Sequence, residues 1–407
     1  MNGLCEAITN KGKRCKRKAL PNEKYCKEHL YLKFGELLKK IPFYKKPSFI
    51  IGTILAILAI FLTIYFGMRG LTKIELTKIV KEAVQQELQN SNVLPAPPKT
   101  DEEILKAIGK TCDQIGQAAC DKIKKASEDL DSGHYLQAET SYKTLIDLFP
   151  DVFELRFNLA SAYYYQNKLN LAEKELREII RTKPDINDVH YNLGILLYDL
   201  KKYPEAEKEY RTAIKIYPDD VEAHIGLGNL LSDLKNYQEA QKEYRTAIEI
   251  DSTHAGAHNN LGNLLEALKN YPEAEKEYRI AIKIKPDYAE AHNNLGVLLV
   301  NLKRFPEAEN EFRTSIEIDP NNADAHNNLG NLLKDLKNYQ EAEKEYRTAI
   351  NIKPDYAEAH GNLGLLYIDM GKKEEAKKEL RKAKELFKKQ GKENDVKKVE
   401  HILKGLG

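Results

Sequence analysis

The sequence predicts an all-α protein in which a solenoid of helix–turn–helix repeats follows a single transmembrane helix. Three observations support this fold class. The phrase AEAHNNLG at 289–296 returns, in close or looser form, every 34 residues from 187 to 364. Each interval carries two helical stripes of apolar residues with a break between them, as helix pairs in repeat arrays do. Ahead of the repeats, residues 48–68 contain no charged side chain.

The first 35 residues are basic and contain four candidate metal ligands. Cys5, Cys15, Cys26 and His29 are spaced C-x9-C-x10-C-x2-H. Three thiolates and an imidazole can complete a tetrahedral zinc shell. The string CEAITNKGKRC…YCKEH resembles a small predicted zinc-binding motif found at the ends of various microbial proteins. We therefore expect residues 1–35 to bind one Zn²⁺, the alternative being a basic tail with incidental cysteines.

Residues 48–68, SFIIGTILAILAIFLTIYFGM, are long enough to cross about 30 Å of hydrocarbon as one helix. A buried core helix is the alternative, but a solenoid has no core large enough to hide it. The run begins too far from Met1 for an ordinary cleaved signal peptide, so we interpret it as an uncleaved anchor. Thirteen Lys and Arg residues precede it. By the positive-inside rule, they place the N-terminus in the cytoplasm and the repeats outside.

Two short segments separate the anchor from the repeats. Residues 71–90 predict an amphipathic stalk helix that either self-associates or serves as a solvated spacer, since it is shorter than the heptad run of a coiled coil. Residues 91–100 form a proline-rich, semi-rigid linker.

Cys112 and Cys120 follow the linker. If one helix carried both, they would stand about 12 Å apart. That separation is too large for a disulfide unless the chain bends at Gly116. We interpret the two cysteines as structural or free.

Residues 119–390 contain eight units of 34 residues. In the unit 289–322, an apolar stripe runs from Ala291 to Leu302, KRFP breaks it, and Pro306 suits the first turn of a second helix. Small residues recur at Gly296 and Ala308, where the two helices should approach closely. Each unit then buries its apolar face only against its neighbours. The units begin at 119, 153, 187, 221, 255, 289, 323 and 357, and a cap helix is predicted at 391–407.

This unit resembles the tetratricopeptide repeat. The third unit carries the family pattern, and the first two units depart from it with Ala126 and Ala160 in place of the glycine. The resemblance implies a right-handed solenoid. The matching residues of the third unit are Leu193, Gly194, Ala206, Tyr210, Ala213 and Pro218.

One face of each first helix carries mainly polar residues at positions 2, 6, 9 and 13 of the unit. A side-chain amide both donates and accepts, so a row of amides can pair with the peptide bonds of an extended chain. In tetratricopeptide superhelices this face lines the inner groove. The row here is similar to the asparagine ladder of the O-linked N-acetylglucosamine transferase family, which holds substrate backbone. The alternative is that these polar residues merely solvate the helix. The candidate groove residues are Asn158, Asn192, Asn229, Asn260, Asn263, Asn294, Asn328, Asn331, Asn362, Asp233, Glu290, Asp324 and Asp335.

A histidine occupies position 4 in six units. Equivalent side chains on successive units should lie about 10 Å apart, which is too far to share a metal ion. We therefore interpret the series as packing residues. Its members are His190, His224, His258, His292, His326 and His360.

Charge is distributed unevenly along the chain. Residues 1–46 carry net +9 and residues 372–407 net +6, whereas residues 47–371 carry net −13. The acidic array argues against nucleic acid as the ligand of the repeats and favours a neutral or basic polypeptide. The sequence contains no glycine-rich phosphate loop, nucleophile elbow or paired-histidine helix motif, so we predict that the chain is not an enzyme.

Together these features predict a membrane-anchored scaffold that binds an extended polypeptide in its groove. The alternative is a regulatory or targeting subunit of a glycosyltransferase or other enzyme carried on a separate chain. A third hypothesis gives the basic, cysteine-containing head a nucleic-acid or regulatory role.

Overall fold

A computed structural model describes Ala96 and residues 98–406, which form nineteen α-helices and no β-strand. The predicted anchor at 48–68, the stalk at 71–90 and the four metal ligands of residues 1–35 lie outside this described part. Among the described helices, none is long and apolar enough to cross a membrane.

The helices pack as consecutive pairs, so the predicted all-α repeat array is confirmed, and its right-handed sense stays a prediction. α1 (Asp101–Ile108) and α2 (Cys112–Ile115) precede the pairs, and α19 (Glu393–Gly405) follows them. The first helices of the pairs are α3 (Gln117–Asp131), α5 (Phe153–Tyr165), α7 (Asn187–Asp199), α9 (Val221–Asp233), α11 (Ala255–Ala267), α13 (Ala289–Asn301), α15 (Ala323–Asp335) and α17 (Ala357–Asp369). The second helices are α4 (Tyr135–Leu148), α6 (Leu169–Thr182), α8 (Tyr203–Ile216), α10 (Tyr237–Ile250), α12 (Tyr271–Ile284), α14 (Phe305–Ile318), α16 (Tyr339–Ile352) and α18 (Lys373–Lys389).

The helices of a pair approach most closely at position 8. A Cβ atom added to Gly262 would lie 2.6 Å from the ring of Tyr278, and one added to Gly296 would lie 2.6 Å from the ring of Phe312. Both rings are almost fully buried. The close approach predicted at Gly296 is therefore confirmed, and the side chain that requires it is a ring on the second helix.

The turn between the helices of a pair requires a left-handed backbone at position 15. Glycine adopts that conformation at little cost, and the first and last units place Gly133 and Gly371 there. The second unit has Asn167 there, and the third to seventh units have lysine, as at Lys269 with φ 62°. The amide of Lys269 donates to the Glu266 carbonyl and that of Asn270 to the Leu265 carbonyl, which closes the end of α11.

Cys112 and Cys120 form a disulfide, so of the two alternatives for these residues, structural or free, the second is wrong. The distance expected along one helix does not apply, because α2 ends at Ile115 and α3 begins at Gln117. Gly116 lies between them with φ 87°, and the two Cα atoms are 5.4 Å apart. The bend at Gly116 that a disulfide between these cysteines requires is therefore present. α1 contacts α3 and α5, and its Ile104 is fully buried.

The predicted cap segment is helical from Glu393 to Gly405. Val396 and Val399 are buried against Leu380 and Phe387 of α18. This helix therefore covers apolar surface that the last unit would otherwise expose.

Candidate functional site

We call the face of the first helices that carries positions 2, 6, 9 and 13 the ladder face. Part of the chain's own linker, Ala96 with residues 98–100, lies against it, and we call this part the tethered segment. Lys99 N–H donates to Asn158 Oδ1 at 2.7 Å, and Asn158 Nδ2 donates to the Lys99 carbonyl at 2.7 Å. Ala96 N–H donates to Asn192 Oδ1 at 2.6 Å. Two position-6 asparagines therefore bond to the main chain of an extended segment.

The side chain of Lys99 also contacts the ladder face. Its Nζ lies 2.6 Å from Asp188 Oδ2, at position 2 of the next unit. The same ammonium lies 5.4 Å from the centre of the Phe157 ring. One contact point on this face thus combines an amide of one unit with a carboxylate of the following unit. Neither Asp188 nor Phe157 is among the predicted site residues, although Asp188 is at position 2 and so belongs to the predicted groove face.

In the later units, the position-6 amides also join neighbouring units. Asn328 Nδ2 donates to Asn293 Oδ1 at 3.0 Å, and Asn362 Nδ2 donates to Asn327 Oδ1 at 2.9 Å. Asn294 Nδ2 reaches two carbonyl oxygens of the preceding unit, at positions 5 and 9. These side chains therefore do more than solvate a helix. The position-5 partners were not predicted, although the paired asparagines of the HNN phrase are the signal for them.

Asn260 differs from Asn158 and Asn192 in the contacts of its Oδ1 atom. Its Nδ2 donates to Asn229 Oδ1 at 3.0 Å. Its Oδ1 is buried and has no hydrogen-bond partner among the described residues. In Asn158 and Asn192, the same atom accepts a main-chain N–H. Asn260 thus has a buried, unused acceptor at the equivalent place on the ladder.

The position-9 asparagines hold rings of their own units. The hydroxyl of Tyr278 donates to Asn263 Oδ1 at 2.7 Å. In the sixth unit the ring is Phe312, which has no hydroxyl, and position 9 is Val297. Asn229, Asn263 and Asn331 therefore have a packing role that the sequence did not indicate; the corresponding bonds of Asn229 and Asn331 come from Tyr244 and Tyr346.

The predicted carboxylates already have contacts within the chain. Asp233 accepts from the Tyr198 hydroxyl, and Asp324 accepts from the Tyr356 hydroxyl at 2.5 Å. Asn259 Nδ2 donates to Glu290 Oε1 at 3.1 Å. The side chain of Asp335 is 67% exposed. Acidic groups therefore line this face, and several are oriented by hydrogen-bond donors.

The asparagine series is interrupted at the fourth unit. Gly226 occupies position 6 there, and a Cβ atom at Gly226 would lie 2.8 Å from the ring of Tyr210. A side chain at this point would require the Tyr210 ring to move. The interruption separates the asparagines that hold the tethered segment from those at Asn260 and beyond.

The six position-4 histidines have specific partners. His190 Nδ1 lies 2.6 Å from Glu209 Oε2, and His190 Nε2 lies 2.8 Å from the Pro184 carbonyl oxygen. Each of the other five repeats this pattern with a glutamate at position 23 and a carbonyl oxygen of the preceding unit. Both acceptors are satisfied together only by the doubly protonated ring. The packing interpretation missed these carboxylates, although glutamate recurs at position 23.

Protonation of His190 and His224 should stabilise the array. Burial alone would lower the pKa of His190, but its hydrogen bonds to Glu209 and the Pro184 carbonyl outweigh burial, so the pKa is raised. The pKa of His224 is raised by the equivalent balance. A raised folded-state pKa contributes stability that is complete below the unfolded pKa, about 6.5, and is lost as the pH rises through the folded value.

We therefore expect the free energy of unfolding to decrease from pH 5.5 to pH 8. Urea unfolding across this range measures it. A variant with His190→Gln and His224→Gln should show a smaller decrease, because it lacks the two rings whose pKa values are raised. An equal pH dependence in the variant and the native protein would contradict the assignment.

Family models of the tetratricopeptide repeat match most of the described chain. One model matches residues 123–169, 157–221 and 225–289. Other models of the same repeat match residues 197–252, 289–322, 311–344, 330–371 and 357–390. Together the matched residues extend from 123 to 390.

Solved repeat proteins align with this chain. A tetratricopeptide repeat protein from Parabacteroides merdae aligns with a TM-score of 0.52 at 20% identity, over 62% of this chain and 99% of its own. PilF of Pseudomonas aeruginosa aligns over 53% and 96% at 21% identity with a TM-score of 0.46. YrrB, a repeat protein with an unusual peptide-binding site, aligns over 45% and 95% at 24% identity with a TM-score of 0.36. At 20% identity, the first of these alignments shows the fold alone. A search of curated proteins found no match.

Proposed function

Because the chain is a tetratricopeptide-repeat protein over residues 123–390, we propose that it is a scaffold whose ladder face binds an extended polypeptide by its main chain. Repeats of this family bind protein or peptide partners. The proposed ligand lies along the first helices, where position-6 amides pair with peptide bonds as Asn158 does with that of Lys99.

The observation that carries the proposal is the paired hydrogen bond between Asn158 and Lys99. An amide that both donates to a carbonyl and accepts from the N–H of one residue recognises the backbone in extended form, whatever the side chain. Asn158 is fully buried in this contact. Each such bond contributes modestly, about 0.5–1.5 kcal/mol, so affinity depends on the number of asparagines engaged.

The charge of the face supports a neutral or basic partner. Residues 47–371 carry net −13, and Lys99 lies 2.6 Å from Asp188. Nucleic acid would be repelled by such a surface. The alternative function is a regulatory or targeting subunit of a glycosyltransferase or other enzyme, and it would use the same face. If the protein that co-purifies with the chain is such an enzyme, this alternative is favoured over a scaffold that has no enzyme partner.

The proposal includes anchoring by residues 48–68, with 71–90 as spacer or self-association segment and the repeats on the extracytoplasmic side. The uncharged run and the basic residues before it motivate this topology. The disulfide between Cys112 and Cys120 supports it, because such bonds persist mainly in oxidising compartments.

The proposal also includes one Zn²⁺ held by Cys5, Cys15, Cys26 and His29, whose residue types suit zinc. Titration of the reduced full chain with Co²⁺ should produce the absorption of tetrahedral thiolate coordination, and Cys26→Ser should weaken it. Absence of that absorption from the native chain would rule out the site.

The function is tested by the paired variant Asn294→Ala with Asn328→Ala. We expect its affinity for the polypeptide that co-purifies with the detergent-solubilised chain to fall by about 1–3 kcal/mol, because two backbone-binding amides are lost. A titration with the purified partner measures the change.

The matched control is Asn293→Ala with Asn327→Ala. It removes bonds between units at position 5 and leaves the position-6 amides in place. We expect the control to lower the melting temperature with little effect on affinity. If Asn294→Ala with Asn328→Ala binds as tightly as the native chain, the ladder face is not the binding site.

A further inference from the structure

We propose that the ladder face beyond Gly226 carries three subsites for an extended segment that has a lysine or arginine at every third residue and runs antiparallel to the array. This inference rests on the proposed function. It adds the direction, the spacing and the side-chain preference of the ligand, none of which follows from a main-chain contact alone.

The tethered segment shows the direction and the spacing. Asn192 of the third unit contacts Ala96, and Asn158 of the second unit contacts Lys99. The chain therefore runs from later units towards earlier ones and advances three residues per unit. Three residues of extended or polyproline chain span about 9–11 Å. Neighbouring helices pack about 8–10 Å apart, so every third residue meets an asparagine.

The spacing also decides where proline is allowed. A contacted residue must donate its N–H to Oδ1, which proline cannot do. Residues between two contacts carry no such requirement. In the sequence, both residues between Ala96 and Lys99 are prolines. A matching ligand therefore has the pattern of one basic residue followed by two residues that include proline.

The preference for a basic residue comes from the carboxylate paired with each asparagine. Lys99 bonds to Asn158 through its main chain and to Asp188 of the next unit through Nζ. The same combination of position 6 with position 2 of the following unit recurs three times beyond Gly226. The three pairs are Asn260 with Glu290, Asn294 with Asp324, and Asn328 with Glu358.

Residues at both ends limit the stretch that contains the three subsites. Gly226 is followed by Gly256 at position 2, so that subsite lacks both the amide and the carboxylate. At the other end, Asn362 is followed by Lys392, which repels a basic side chain. Lys392 Nζ lies 2.6 Å from Glu358, so a ligand cation at that carboxylate shares it with Lys392.

An independent observation points to a ligand at the first of the three subsites. Asn260 is 4% exposed, and its Oδ1 is buried without a hydrogen-bond partner among the described residues. This atom is the one that accepts a main-chain N–H in both occupied asparagines. The subsite therefore lacks the group that the tethered segment supplies to Asn158 and Asn192.

The test uses the full chain in detergent and fluorescent peptides of four Lys-Pro-Pro repeats. The comparison peptide has the same composition with its lysines adjacent, so it carries the same charge out of register. We expect the in-register peptide to bind more tightly by about threefold or more, as two or three partly exposed ion pairs allow. A photoreactive group at the peptide's N-terminus should label the seventh and eighth units, and one at its C-terminus the fifth.

Two variants separate this inference from the proposed function. Glu290→Gln with Asp324→Asn should abolish the preference for the in-register peptide. The control Glu249→Gln with Glu317→Gln removes the same charge from exposed positions of the second helices and should retain the preference. Equal binding of the two peptides to the native chain, or labelling in the reverse order along the units, would overturn the inference. The proposed main-chain function would still hold in that case if Asn294→Ala with Asn328→Ala weakens binding. If that asparagine variant binds both peptides and the co-purifying partner unchanged, the proposed function fails as well.

Discussion

Phe312→Ala is expected to lower the free energy of unfolding by about 3–5 kcal/mol. The ring is 1% exposed and lies against Gly296, where it fills the space between α13 and α14. Removing it leaves a cavity inside a unit whose neighbours depend on its shape, because each unit buries its apolar surface only against adjacent units. Urea unfolding followed by circular dichroism measures the loss.

The matched control replaces the same ring without creating a cavity. Phe312→Tyr with Val297→Asn rebuilds in the sixth unit the arrangement of Tyr278 and Asn263, whose bond is 2.7 Å. We expect this pair to unfold close to the native chain, and Phe312→Tyr alone to lose about 1–3 kcal/mol because its hydroxyl is buried against Val297. Native stability in Phe312→Ala would show that this packing does not hold the unit together.

Reduction of the bond between Cys112 and Cys120 is expected to destabilise the N-terminal units by about 2.5 kcal/mol. The disulfide closes a loop of eight residues, and the resulting loss of conformational entropy in the unfolded chain corresponds to a free energy of this size. The bond holds the bend at Gly116, through which α1 is connected to α3. We therefore also expect reduction to loosen the tethered segment. Unfolding with and without a reductant measures the first effect, and protease sensitivity near residue 100 measures the second.

The double variant Cys112→Ser with Cys120→Ser is the control, and its stability should not respond to the reductant. The same cysteines report the side of the membrane. In membranes treated with a maleimide before reduction, neither cysteine should react if the repeats face an oxidising compartment. Rapid maleimide labelling of both cysteines in membranes that have not been reduced would contradict the proposed topology.

Local periodicity explains why the array was predictable. The stripe from Ala291 to Leu302 and the break before Pro306 are set within one unit, and α13 and α14 form where they predict. Gly296 also follows from the unit alone, because a large residue recurs on the second helix. The polar face followed from the spacing of positions 2, 6, 9 and 13, and Asn158 and Asn192 of that face contact a main chain in the structure.

The pairings between distant residues were not predictable from spacing. Asn328 bonds to a residue 35 positions earlier, and His190 bonds to a glutamate 19 positions later. Both depend on how two helices are rotated against each other. The bend at Gly116 was identified as a condition for the disulfide, but neither helix propensity nor spacing decides whether the chain takes it.

By itself, the sequence determined the repeat length, the helix pairs and the residues of each face, because helical periodicity and close packing at glycine act over short distances and recur in every unit. Only the tertiary structure decided which polar groups meet across units, that Cys112 and Cys120 are joined, and that the segment around Lys99 lies on the ladder face. These outcomes depend on the relative placement of elements that are far apart in the chain. No local pattern of residues specifies that placement.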